Sequence, residues 1–209
     1  MGRMYYDMAD TYNDGHFYRN HYGGGKTDLA LAKSYYTKAA NQKNIDAQNF
    51  LGDIALGRDP GPELIAEAMK WYAMGAEQGD RVAQRKLGIM YTLLPKEPQN
   101  VEASFKWLAL AADQGDAWAQ YMLAERYFRD NNDKITAWVL IRHAVNNADV
   151  AARFSADKQA NAFRAELESS MTAEEKAEAL KLYEEETKAN IENTAKGDGV
   201  VAKSISMPV

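Results

Sequence analysis

Residues return at a fixed interval of 36 along this chain, and no other feature limits its fold so tightly. Trp71-Tyr72 followed by Ala76-Glu77-Gln78-Gly79-Asp80 comes back as Trp107-Leu108 followed by Ala112-Asp113-Gln114-Gly115-Asp116. A weaker copy precedes them in Tyr35-Tyr36 and Ala40-Asn41-Gln42-Lys43-Asn44. The segments between keep the spacing: Ala47-Gln48 with Leu51-Gly52, Ala83-Gln84 with Leu87-Gly88, and Ala119-Gln120 with Leu123-Ala124. Periods of roughly 20–50 residues belong to stacked supersecondary units, none of which buries its apolar face alone. Such arrays mostly bind other molecules along an extended surface, which moves expectation away from catalysis.

Each period carries two amphipathic helices. Ala83, Leu87, Met90 and Tyr91 share one helical stripe, as do Ile65, Ala68, Met69, Tyr72 and Ala76 in the segment before. Ala68, Ala76 and Gly88 are small where two helix backbones must come close. Gly79 suits a helix C′ position because it tolerates positive φ, and Asp80 suits the next N-cap; Gly115 and Asp116 repeat both roles. The pattern predicts helix pairs at 4–14 with 28–42, 46–57 with 62–78, 81–93 with 100–114, and 117–129 with 133–147. Breakers fall inside the pairs, at Asp59-Pro60-Gly61-Pro62, Pro95-Lys96-Glu97-Pro98 and Asp130-Asn131-Asn132-Asp133. The first inner loop is longer, since Met8 and Leu51 stand 43 apart, seven more than the period.

After residue 149 the repeat decays. Ala151 to Leu167 reads as a helix, and Thr172-Ala173-Glu174-Glu175 is a capping box that opens another, to about Asn193. The charged outer face of this last helix, Glu184-Glu185-Glu186 included, suits a terminal cap. His143 sits within a predicted helix with no obvious partner group. The expected fold is therefore all-α: an α/α superhelical solenoid of four helix pairs over 1–149, capping helices over 150–194 and a disordered tail over 195–209.

Charge and composition narrow the function. A net charge of −5 without a basic cluster argues against nucleic-acid binding, which needs a dense field of Lys and Arg. The chain holds no Cys, so a disulfide framework and a thiolate metal site are both excluded. No apolar run approaches the ~20 residues of a membrane span. As written the chain reads as cytoplasmic, and as periplasmic or secreted if a leader has been removed.

Two stretches invite chemistry. Gly23-Gly24-Gly25-Lys26-Thr27 ends like a phosphate-binding loop, but Asn20 stands where the first Gly of that motif belongs and no strand precedes it. The inserted loop around it holds His16, Phe17, Tyr18, His21 and Tyr22, with Asp14 beside them. These side chains support an alternative reading, a small-ligand or metal-binding module centred on residues 14–27. The spacing fixes no ligand geometry, so neither a metal nor another cofactor is assigned. No Ser/His/Asp or Cys/His arrangement exists, and the chain is read as non-enzymatic. Trp71 and Trp107 occupy one register slot and are read as inter-helix packing.

The combination of Ala83, Leu87-Gly88 and Met90-Tyr91 with Ala68, Trp71-Tyr72, Ala76 and Gln78-Gly79-Asp80 resembles the Sel-one-like repeat, a tetratricopeptide-related family of α/α solenoids. The likeness spans roughly residues 4–149; Lys43 and Asn146-Asn147-Ala148-Asp149 depart from it in the first and fourth units. It implies an adaptor or scaffold, as in many bacterial and exported members, with a protein or peptide partner. It implies also that the first helix of each pair lines a concave groove. Carried over by register, that groove takes Tyr6, Asp10 and Asn13 from unit one, and Asn49, Asp53, Arg85, Ile89 and Thr92 from units two and three. Unit four adds Trp118, Tyr121, Glu125 and Phe128, offset from the core stripe of Ala119, Leu123 and Tyr127. These aromatics are either partner anchors or packing for the terminal helices. A monomer or weak homo-oligomer is expected.

Overall fold

A computed structural model of the chain describes residues 29–57, 60–146 and 158–196. These residues form nine α-helices and no strand. The chain divides into two compact units, Met1–Met90 and Tyr91–Val209. The first holds α1 (Leu29–Asn41), α2 (Ile45–Leu56), α3 (Pro62–Glu77) and most of α4 (Arg81–Leu93). The second holds the end of α4, then α5 (Pro98–Asp113), α6 (Ala117–Asn131), α7 (Lys134–Asn146), α8 (Lys158–Ser170) and α9 (Ala173–Lys196). The predicted helix at 4–14 lies outside the described residues, as does the predicted start at Ala151 of the helix that becomes α8.

The punctuation works as its chemistry requires. Lys43, Gly79, Gly115 and Asn132 all take positive φ, at 63°, 87°, 78° and 53°. Behind Gly79, the amides of Gly79 and Asp80 return to the carbonyls of Ala76 and Gly75 at 3.0 and 3.2 Å, satisfying the helix end in a Schellman turn. The same turn closes α1 and α5. Each left-handed residue is followed by an N-cap. Asn44, Asp80, Asp116 and Asp133 accept from Ala47, Ala83, Ala119 and Thr136 amides at 2.8, 2.8, 3.0 and 3.0 Å. Lys43 thus fills the role of the missing glycine, at the left-handed cost a Cβ imposes.

Packing inside the first unit centres on Tyr36, Ala39, Ala40, Ala47, Leu51 and Trp71. Gly52 and Gly75 set its closest approaches. A Cβ on Gly52 would enter the Tyr72 ring, and one on Gly75 would stand 2.9 Å from the Ala83 Cβ. In the second unit α5 packs on α6, α6 on α7, and α7 on α9. Ala119, Leu123 and Tyr127 are buried as their stripe requires. Trp71 is buried, whereas Trp107 in the equivalent slot is half-buried.

The recurring Gln of the first helices has a role that its spacing alone does not reveal. Gln48, Gln84 and Gln120 each send Nε2 back to the carbonyl of Ala40, Ala76 or Ala112, at 3.0, 3.2 and 3.2 Å. The donor-and-acceptor amide thereby fastens each first helix to the end of the helix before it. Gln78 Nε2 donates at 2.8 Å to the remaining oxygen of Gln48.

The terminal helices close the second unit with side-chain bonds. Thr172 and Glu175 form the expected capping box, at 2.7 and 3.2 Å. Lys134 Nζ donates to the Ser170 carbonyl at 2.8 Å. His143 does have a partner: its Nε2 lies 3.1 Å from Glu186 Oε2, and its ring rests on Tyr183. The partner comes from α9, forty-three residues on, so no local pattern reveals it. For the same reason Glu186 is not merely part of a solvated charged face.

Candidate partner-binding surface

In the first unit the groove positions of α2 are bound within the chain. Asn49 Nδ2 donates to Asp80 Oδ1 at 2.9 Å, bracing the cap that starts α4. Asp53 accepts from the Tyr72 hydroxyl at 2.6 Å and from Lys86 Nζ at 2.6 and 2.8 Å. Lys86 also lies over the Tyr72 ring, 5.2 Å from its centroid. Burial, reinforced by the hydrogen bond and charge of Asp53, holds the Tyr72 hydroxyl far above its ordinary range. This three-residue clasp ties α2, α3 and α4 together. Arg85 and Ile89 of α4 are half-buried.

The second unit carries the more open surface, built on α6. A hollow of about 810 Å³ lies between the end of α4, the following loop, α5 and α6. Thr92, Leu94, Val101, Phe105, Met122 and Glu125 are among its walls. Arg126 crosses its floor: the guanidinium stacks 4.0 Å from the Phe105 centroid and donates to Ser104 Oγ at 2.9 Å. Burial pulls its pKa down, and Asp130 at 3.6 Å works in the opposite direction. A second hollow of about 520 Å³ lies on the other side of α6, against α8. Trp118, Tyr121, Phe163 and Glu166 line it, and Met122, Glu125 and Arg129 border both hollows.

The predicted positions on α6 divide by role. Tyr121 meets Phe163 edge-on at 5.7 Å, and Phe128 meets the same ring at 6.0 Å. Packing against a terminal helix therefore accounts for much of these two side chains. Trp118 stands half-buried with its ring edge-on to Tyr121 at 6.1 Å. Glu125 is half-buried and makes no hydrogen bond or ion pair among the described residues. Met122, Arg126 and Arg129 were missed by sequence reasoning; they flank the predicted stripe, and only the position of α5 and α8 shows that they border hollows. Tyr6, Asp10 and Asn13 lie outside the described residues, as do His16, Phe17, Tyr18, His21 and Tyr22 of the inserted loop. Among the described residues no cluster of three or more His, Cys, Asp or Glu is placed to hold a metal ion, and no helix is long and apolar enough to cross a membrane.

Successive helices joined by one recurring turn, with a recurring amide tie across it, define an α/α repeat protein. Its sequence matches the Sel1 repeat at residues 3–44, 45–80, 81–116 and 119–132. The chain belongs to the Sel1 repeat family. Two internal boundaries fall where α2 and α4 begin; the fourth match covers α6 without α7, although α7 keeps the cap and burial pattern. Among curated proteins none matches. Among solved structures, the chain is similar to c5321, a protective antigen present in uropathogenic Escherichia coli strains displaying an SLR fold. There the TM-score is 0.70 and the identity 26%, over 100% of this chain and 42% of that one. It is similar also to a Sel1 repeat protein from Oxalobacter formigenes, with a TM-score of 0.54 and 28% identity over 74% of this chain and 66% of that one. The chain therefore spans less than half the length of the first structure and about two thirds of the second. The fold is the all-α superhelical repeat of these neighbours. Sel1 repeat proteins generally mediate protein–protein interaction, and such scaffolds are typically non-catalytic.

Proposed function

We propose that this protein is a non-catalytic adaptor and that a peptide or protein partner binds it on α6, across the two hollows of the second unit. One observation carries the reading: two hollows with largely apolar walls meet along Met122, Glu125 and Arg129 on a first helix of the repeat. Concave sites with apolar walls and a few polar groups are where ligands gain both affinity and orientation. Trp118 supplies an aromatic at the rim, the residue type that most often dominates binding energy.

A photo-crosslinking residue at Met122, compared with one at Glu185 on exposed α9, tests this in lysate of the source cells. A discrete product from Met122 alone, suppressed by excess unmodified protein and by Trp118→Ala, is the expected result. Equal crosslinking from both positions, or none from either, removes α6 as the binding surface.

A further inference from the structure

Resting on that reading of α6, we infer that the bound segment is basic and apolar: it places an apolar side chain in the larger hollow and a Lys or Arg beside Glu125. Leu94, Val101, Phe105 and Met122 give the larger hollow its apolar wall. With Glu166 of the adjoining hollow counted, the charges pair off with one exception. Arg126 is paired with Asp130 at 3.6 Å, and Arg129 with Glu166 at 3.1 Å. At the far lip Lys96 and Glu102 contribute opposite signs. Glu125 is left over, half-buried, lining both hollows and bonded to neither neighbour. Arg129 lies one turn along α6 from it, yet reaches to α8 instead. Of the two carboxylates, Glu125 and Glu166, the Arg129 guanidinium thus engages only the second.

This surplus decides what fits. A neutral apolar segment covering α6 would desolvate the Glu125 carboxylate without a partner, which is costly. An acidic segment would add like-charge repulsion in the same place. A cation supplies the missing counter-charge, and its stem lies along Met122. Trp118 and Tyr121 in the same hollow add the attraction of aromatic faces for cations. The overall charge of −5 favours approach of a basic segment as well.

The test uses the full chain and short acetylated peptides of Leu, Phe, Gly and Ser that carry interspersed Lys, Glu or Gln. Fluorescence anisotropy at low salt should show the Lys peptides bound about tenfold or more tighter than the Gln peptides, and the Glu peptides weakest. Glu125→Gln should erase most of the Lys preference and Glu125→Lys should turn it towards Glu, with circular dichroism confirming the helices. Glu185→Lys changes the net charge equally and should leave the preference in place. The inference is overturned if Gln or Glu peptides match the Lys peptides, or if Glu185→Lys acts as strongly as Glu125→Lys. Self-association that blocks every peptide, seen by light scattering, overturns it too. Crosslinking from Met122 that persists while the Lys preference is absent would remove the basic partner alone; loss of both would remove α6 as a binding surface.

Discussion

Helices α2 and α6 are the same element of the repeat, two periods apart, and they treat the same carboxylate slot in opposite ways. Asp53 on α2 is held by a hydroxyl from Tyr72 and an ammonium from Lys86. Glu125, seventy-two residues on, has neither. The difference lies in the following helices. By the same seventy-two residues Tyr72 becomes Ala144 on α7, which is buried and has no hydroxyl to offer. One period after the clasp, its three positions read Ile89, Leu108 and Met122, all apolar. The repeat fixes where an acid can stand, and the neighbouring helix decides whether it becomes a tie or remains open to a partner.

Substitutions at the ties should separate the two units, and the largest effect belongs to the first. Gly52→Ala forces a methyl into the Tyr72 ring and so disturbs the clasp from below. It should cost about 2–3 kcal/mol in urea unfolding, as overpacking of a tight core does. The periodic amides give a finer contrast. Gln48 is buried with bonds at both ends, whereas the Gln120 oxygen is buried without a partner. Gln48→Leu removes two hydrogen bonds made by a fully buried amide and should therefore cost about 2 kcal/mol. Gln120→Leu removes an unsatisfied oxygen along with one bond and should cost about 1 kcal/mol or less. Equal losses at the two positions would show that the ties do not differ.

How much of this was legible follows the range over which each feature acts. The helix pairs, the left-handed turn residues and the Asp caps are local, and the 36-residue register displayed them several times over. The core stripe of Ala119, Leu123 and Tyr127 was legible for the same reason. Asn49 and Asp53 were read as groove positions from register, yet their bonds to Asp80, Tyr72 and Lys86 cross between helices and depend on packing. His143 and Glu186 meet only because α9 lies against α7, outside the repeat. The hollows required α5 and α8 in place, so Met122 and Arg129 looked like ordinary helix residues between the predicted contacts. Register sorts faces well; it does not say which face a non-repeating helix will cover.

The clasp itself supplies a smaller contrast. Tyr72→Phe keeps the ring and deletes the hydroxyl, leaving Asp53 with Lys86 alone. About 1 kcal/mol should be lost, the usual net worth of one such bond. Glu125→Gln breaks no bond and should leave stability within about 0.5 kcal/mol. A stability loss at Glu125 as large as that at Tyr72 would mean that the carboxylate is tied after all, and the contrast between α2 and α6 would fail.

A pH-dependent effect concerns a second carboxylate of the second unit that lacks a bond. Glu77, at the end of α3, is exposed, whereas Asp113 in the equivalent place on α5 is half-buried with Oδ1 unpartnered. Burial pushes the Asp113 pKa from 3.8 up to about 6. The folded chain then holds this proton more tightly than the unfolded chain does. Stability from this group is accordingly present below its unfolded value and is lost as pH rises from about 4 to about 6. Half-exposure screens the effect, so the loss should be about 1 kcal/mol or less. Asp113→Asn should flatten that part of the pH profile and leave the protein slightly more stable than the parent at neutral pH. If urea midpoints of parent and variant instead run parallel from pH 4 to pH 7, Asp113 is solvated in the folded chain and its burial exerts no electrostatic cost.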